Sequence, residues 1–373
     1  MFFCAPSRRS CLLAVAFLAG LLCGPSVGQA QLTAKNLVGK AVSDDAQYKE
    51  INGAITRFGD RDIDGCRAIL ERARNNNAKL PPAGVMMAML WLNVNQLLPA
   101  RAELEQTTVK FPTDPEAYLM LADLAFQDRR VTDSAVLFER ATLLTSTFEE
   151  NPKRKRDFEI RGHAGTAAVA EAREQWADAQ KQLEAWIALD PDNAGAHFRL
   201  GNVLFRLEQE EAALAEFQEA RKLDANALQP ELALARLYDE GDKKDVAKKW
   251  IEAAMKSAPD DAAVLLAAAQ WYLGQNDLET AQAIAEQVLA KDAKSLDGKI
   301  VRGVIARVAR DYPTAAKYFN DAHLQSPGNF AASNSLALVL IESEEKESQQ
   351  RAVEMAEANV ARYRRTRPSR STP

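Results

Sequence analysis

Any covalent chemistry in this chain would fall to very few residues. His163, His197 and His323 are the only histidines, and they stand far apart. No HExxH, CxxC, Gly-rich phosphate loop or GxSxG occurs, so there is no zinc-binding helix, dithiol pair, phosphate cradle or serine elbow to build on. Asp and Glu are plentiful, but they fall at helical spacing on solvent positions and do not converge. Three of the four cysteines (Cys4, Cys11, Cys23) lie in the first thirty residues, which leaves Cys66 alone, without a partner for an intramolecular disulfide in the remainder. Cys66 reads as a small core thiol, His197 as a packed side chain, and Trp91, Trp176, Trp186, Trp250 and Trp271 as core aromatics. The expectation is no catalytic residue, no cofactor and no metal.

The residues that remain informative are those that position helices. The chain has 373 residues, 47% of them hydrophobic, and is rich in Ala, Leu, Glu, Gln and Arg, which favours helix over sheet. Residues 1–30 are a separate object. Arg8 and Arg9 precede an apolar run from Cys11 to Cys23, Gly24-Pro25 breaks it, and Gly28-Gln29-Ala30 places small residues before Gln31. That order is a bacterial secretory signal, with an uncleaved N-terminal anchor as the alternative. Its removal takes away two arginines and no acids, moving the formal charge from −5 to −7. The expected location is periplasmic or secreted. A mildly acidic exported chain is not expected to bind nucleic acid.

From residue 47 the sequence repeats. Units start at 47, 81, 115, 160, 194, 228, 262, 296 and 330, and seven of the eight steps are 34 residues. Position 8 is small throughout (Ala54, Ala88, Ala122, Ala167, Gly201, Ala235, Ala269, Gly303, Ala337). So is position 20 (Cys66, Ala100, Ser134, Ala179, Ala213, Ala247, Ala281, Ala315), and mostly position 27 (Ala73, Thr107, Ala141, Ala220, Ala254, Ala322). Position 24 is bulky in Leu70, Leu104, Phe138, Leu183, Phe217, Ile251 and Phe319. Pro112, Pro191, Pro259 and Pro327 stop the second helix of their units.

This pattern resembles the tetratricopeptide repeat, a helix–turn–helix unit, over about four-fifths of the chain. The resemblance implies an all-α superhelical solenoid of about nine repeats with a concave, ligand-facing groove. The organisation expected is a signal at 1–30, a linker at 31–46, repeats 1–3 at 47–146, an insertion or helix extension at 147–159, repeats 4–9 at 160–363, and a basic disordered tail at 364–373.

Three places depart from the pattern. The first unit has Gly53 and Arg57 at bulky positions, while Tyr48, Ile51, Ile55 and Phe58 form a stripe in a shifted register. Eleven extra residues precede the unit at 160, where Asn151-Pro152 reads as an N-cap with proline at the first helical position. They make either one long first helix or a hinge between blocks. The run Lys153-Arg154-Lys155-Arg156 within them reads as the solvated start of that helix, balanced by Glu149, Glu150, Asp157 and Glu159, in preference to a phosphate-contacting patch. In the last unit Glu342–Ser348 lengthens the turn between the two helices.

In the family, first-helix positions 5 and 9 help to line the groove. Position 5 gives Val85, Leu119, Phe198, Leu232, Leu266 and Ile300; position 9 gives Met89, Asp123, Ala168, Asn202, Arg236, Gln270 and Val304. The candidate ligand-groove residues are therefore Met89, Leu119, Asp123, Phe198, Asn202, Leu232, Arg236, Leu266 and Gln270, an apolar wall carrying single polar groups that suits an extended peptide or an amphipathic helix. Position 5 residues equally fit packing against the neighbouring repeat. The carboxylate clamp of some family members is not expected: Phe198 replaces its lysine, and Ala233 and Ala267 its downstream polar residues. The function expected is a non-catalytic protein-binding scaffold. A cell-envelope assembly or export factor and the regulatory arm of an enzyme complex are the alternatives. Partner and oligomeric state are open.

Overall fold

A computed structural model describes residues 33–38 and 45–366; the predicted signal and residues 367–373 lie outside this range. The described residues form nineteen helices and no strand. They divide into two compact units, Met1–Arg173 and Glu174–Pro373. The first unit contains α1 (Ala34–Val38), α2 (Asp45–Gly59), α3 (Ile63–Asn76), α4 (Ala83–Asn93), α5 (Leu97–Lys110), α6 (Pro115–Gln127), α7 (Val131–Thr147) and α8 (Pro152–Ala172). The second contains α9 (Trp176–Leu189), α10 (Ala194–Arg206), α11 (Glu210–Leu223), α12 (Pro230–Glu240), α13 (Lys244–Ser257), α14 (Ala262–Gly274), α15 (Leu278–Lys291), α16 (Leu296–Val308), α17 (Tyr312–Gln325), α18 (Phe330–Leu340) and α19 (Lys346–Thr366). Within each unit consecutive helices pack as antiparallel pairs, and each pair packs on the next.

The pairs close on a steric rule. Where position 24 is phenylalanine, position 8 of the same pair can be glycine. A Cβ added to Gly201 would lie 2.6 Å from the Phe217 ring, and one added to Gly303 would lie 2.7 Å from Phe319. Where position 24 is Leu70, Leu104 or Leu183, position 8 is Ala54, Ala88 or Ala167, and all six side chains are buried. In these pairs a larger side chain on one helix meets a smaller one on its partner.

Eight of the nine turns within the repeats use one backbone device. Arg61, Asn95, Arg129, Glu174, Glu208, Asp242, Asn276 and Arg310 have φ between 55° and 64°, and all stand at position 15. At seven of them the next residue's N–H donates to the carbonyl five residues back, as from Gln209 to Leu204 and Asp277 to Tyr272, both 2.9 Å. This is the Schellman ending of an α-helix. Glycine is its usual residue, but Gly241 sits one place early with φ −84° and Asp242 takes the left-handed turn.

The structure differs from the sequence reading at residues 31–46 and in where the units divide, and it selects the long helix over the hinge at the insertion. Residues 31–46, read as a linker, contain α1, whose Ala34, Leu37 and Val38 are buried against Ile51, Ala54 and Leu80; five residues are too few to show a helical period. The eleven inserted residues build a long helix: α7 has 17 residues and α8 has 21, three and eight more than the usual members of a pair, with the intervening loop no longer than elsewhere. The division into units falls between α8 and α9, inside the fourth repeat, and not at 147–159.

The basic run explains why α8 belongs to the first unit. Asn151 caps α8 through Oδ1, while its Nδ2 donates to the Lys79 carbonyl at 3.2 Å. Arg154 is not solvated as the sequence suggested. It is buried, with Nη2 2.9 Å from Asp114 Oδ2 and 2.7 Å from Glu116 Oε2, and its guanidinium lies 5.2 and 5.0 Å from the Phe148 and Phe158 ring centres. The helical spacing of Arg154 and Phe158 turns both inward, and the acids that balance the arginine come from the start of α6, two helices earlier. Burial pushes the Glu116 carboxyl above its ordinary pKa, with Arg154 opposing that push.

Candidate protein-binding surface

The candidate residues of the second unit come together around one exposed cation. Arg236 on α12 places its guanidinium 5.8 Å over the Phe198 ring of α10, with Nη2 3.5 Å from Asn202 Oδ1 and Nε 3.7 Å from Glu240 Oε1. Asn202 is itself oriented by donating from Nδ2 to the Phe198 carbonyl at 2.9 Å. Arg206 approaches Glu240 at 3.3 Å, so two arginines flank one carboxylate. Phe198 is half-buried, tilted against Phe217 at 5.2 Å. Leu266 is half-buried and Gln270 exposed on α14. An aromatic face, an amide and a guanidinium that is about half exposed form a surface able to accept carbonyls or a carboxylate beside an apolar contact.

Other candidates are displaced by packing. Leu119 is fully buried and Leu232 is 6% exposed, so neither offers surface to a ligand; like Val85, they serve the helix interface, the second role open to position 5. Met89 is half-buried between two core clusters. Asp123 is half-buried and paired with Arg161 of α8 at 2.9 Å. Arg161, Arg206 and Glu240 escaped sequence reading because their relevance lies in pairing across repeats. Their signal was spacing: Glu240 follows Arg236 by four residues on one helix face.

Two further hollows occupy equivalent places. One, of about 180 Å³, lies between α3 and α5 beside Gly84; the other, of about 240 Å³, lies between α17 and α19 beside Ser333. Gly84 and Ser333 stand at position 4, where other repeats insert Tyr118, His197 or Leu265. The hollows appear where that side chain is small. His197 shows a filled one: it is buried, with Nδ1 2.6 Å from Glu216 Oε2 and Nε2 3.0 Å from the Pro191 carbonyl. Burial opposes its charge, but two acceptors facing two ring nitrogens lift its pKa above the ordinary value.

The remaining singled-out residues are structural. Cys66 is fully buried, its thiol pushed up to about 11 by burial. Of the tryptophans only Trp271 is buried outright; the others are half-exposed at helix edges, and Trp91 packs edge-on to Phe58 at 4.8 Å. Among the described residues no group of three His, Cys, Asp or Glu side chains could hold a metal ion, and no helix is long and apolar enough to cross a membrane.

A family model described as "Tetratricopeptide repeat" matches residues 86–151, 166–227 and 266–330. No curated protein matches the sequence. Solved structures to which the chain shows similarity include a tetratricopeptide repeat protein from Parabacteroides merdae, 15% identical over 69% of this chain and 97% of that one, with a TM-score of 0.40. Another is PilW, a type IV pilus biogenesis factor, 16% identical over 59% of this chain and 96% of its own, also at 0.40. A third is YrrB, 16% identical over 61% and 95%, at 0.30.

Proposed function

Because the chain belongs to the tetratricopeptide repeat family, we propose that it is a non-catalytic scaffold that captures a protein partner as a peptide, helix or subunit on the first helices of its second unit. The observation that carries this reading is the Phe198–Asn202–Arg236 cluster, with Leu266 and Gln270 on the next first helix but one. Its polar groups are oriented yet remain accessible, and its arginine is held over an aromatic ring while about half exposed. Members of this family are generally scaffolds without catalysis of their own.

The sequence of residues 1–30 favours a role in the cell envelope, as an assembly or export factor. The test uses the chain purified from the envelope fraction, with its N-terminus sequenced and co-purifying proteins identified by mass spectrometry. Arg236→Glu with Asn202→Ala is expected to weaken partner capture at least tenfold while the melting temperature moves by no more than about 2–4 °C, as for a surface change. Equal capture by the double variant rejects the cluster as the binding site. A protein that stays in the cytoplasm rejects the envelope role.

A further inference from the structure

The hollow beside Gly84 differs from the filled place at His197 in what it leaves unsatisfied. His197 enters from position 4 and meets Glu216, which stands at position 23 of the same unit. Glu103 is the position 23 residue here and is buried, but Gly84 sends no side chain to it. Arg67 of α3 takes that role and holds both carboxylate oxygens of Glu103, with Nη1 2.8 Å from Oε2. That pair is complete. The cations in the last turns of α3 and α5 are not. The Arg74 side chain is only 11% exposed, with Nη2 3.1 Å from Oε2 of a half-exposed Glu150. Its Nη1 is buried and has no acceptor among the described residues, a costly state for a guanidinium N–H. Lys110, on the same hollow, is exposed and has no acidic partner among the described residues.

We infer that this hollow is a carboxylate-binding site, in which an acidic side chain or a chain terminus of a partner protein displaces Glu150 from Arg74. Glu150 lends the arginine one oxygen. A ligand carboxylate lends two, which match Nη1 and Nη2 together as a fork, with Lys110 as the second cation. The hollow, of about 180 Å³, exceeds the roughly 150 Å³ of a cavity that admits benzene, so it takes one side chain. Its own acids select among anions: Glu71 and Glu103 line it too, and they repel a doubly charged phosphate more than a singly charged carboxylate. Gly84 keeps the place open, since a Cβ there would lie 2.0 Å from Thr107 Oγ1. The site belongs to the first unit and stands independently of the Phe198–Asn202–Arg236 cluster.

The test is saturation-transfer NMR of the full chain with millimolar N-acetylglutamic acid α-amide, standing for a side chain, and N-acetylglycine, standing for a chain terminus. Binding of at least one probe is expected, and the tighter of the two names the source. Arg74→Gln is expected to weaken that binding about tenfold and Lys110→Gln about threefold. Glu150→Gln removes the competing acid and is expected to strengthen it about threefold. Gly84→Leu with Thr107→Ala fills the hollow and is expected to abolish it. Lys110 and Glu150 are exposed or half-exposed, so their variants keep the wild-type melting temperature and carry the test if a buried one fails to fold. Absence of binding by both probes overturns the inference, as does binding indifferent to Lys110→Gln and Glu150→Gln. Tighter binding of inorganic phosphate than of either probe overturns the carboxylate assignment.

Discussion

The two units solve the same packing problem by different means. In the second, the pairs α10–α11, α12–α13 and α16–α17 repeat one small–large fit (Gly201 with Phe217, Ala235 with Ile251, Gly303 with Phe319), and each pair packs on its neighbours. In the first, the interrupted register is bridged by a buried cation: Arg154 reaches carboxylates 40 and 38 residues back, and the Leu80 carbonyl 74 residues back at 3.5 Å. Regular repeats distribute stability evenly. An irregular stack concentrates it in a few long-range contacts, and each of these is correspondingly costly to lose.

The most severe way to break the first unit is to remove that cation. Arg154→Met leaves Asp114 and Glu116 buried without a counter-charge, and should cost about 3–5 kcal/mol of unfolding free energy in denaturant titrations. Adding Asp114→Asn and Glu116→Gln should recover most of the loss, because asparagine still caps α6. The pH dependence of the single variant follows from Glu116. Its folded-state pKa lies above its ordinary value, so its contribution favours folding below about 4.5 and is lost as pH rises through the folded value. The variant should therefore be closer to wild type at pH 4.5 than at pH 7. Equal losses at both would assign the effect to packing alone.

The second unit should fail locally and be repaired locally. Gly201→Ala drives a methyl into Phe217 and should cost about 1–3 kcal/mol. Phe217→Leu in the same chain recreates the Leu–Ala fit of Leu70 with Ala54, and a double-mutant cycle should show a favourable coupling above about 1 kcal/mol. Additive losses would mean that the fit is not the unit's organising contact. The smallest effect is expected at His197. Its pKa is raised, so its stabilising contribution is fully present below about 6.5 and fades as pH rises through the folded value. The melting temperature of wild type relative to His197→Gln should fall by about 1–2 °C between pH 5.5 and 8.

Much of the fold was legible because its rules are local. Five of the nine unit starts, at 115, 194, 262, 296 and 330, coincide with first helical residues, since small and bulky side chains at fixed offsets encode both the helix period and the helix spacing. The long α8 was legible from Asn151-Pro152. Arg154 was not: four consecutive basic residues look alike in sequence, and only the turn of the helix decides which one faces inward. Position 5 was ambiguous for a related reason. Phe198 and Leu119 occupy the same register, but Leu119 is sealed by the neighbouring helices while Phe198, paired with a glycine-backed Phe217, stays half open. The members of the Phe198–Asn202–Arg236 cluster were legible residue by residue, whereas their pairing across repeats was not.

The left-handed turns carry a consequence for how the array comes apart. At eight turns a non-glycine residue stands at one fixed φ, a hinge with little freedom to lose on folding and little slack once folded. The ninth, α18 with α19, reverses through residues 341–345 with no such residue. Opening should therefore begin there: amide exchange and limited proteolysis between Ile341 and Lys346 should outpace every other turn, and α19 should peel away as one piece before the pairs behind it loosen. The array has a preferred end from which to unzip.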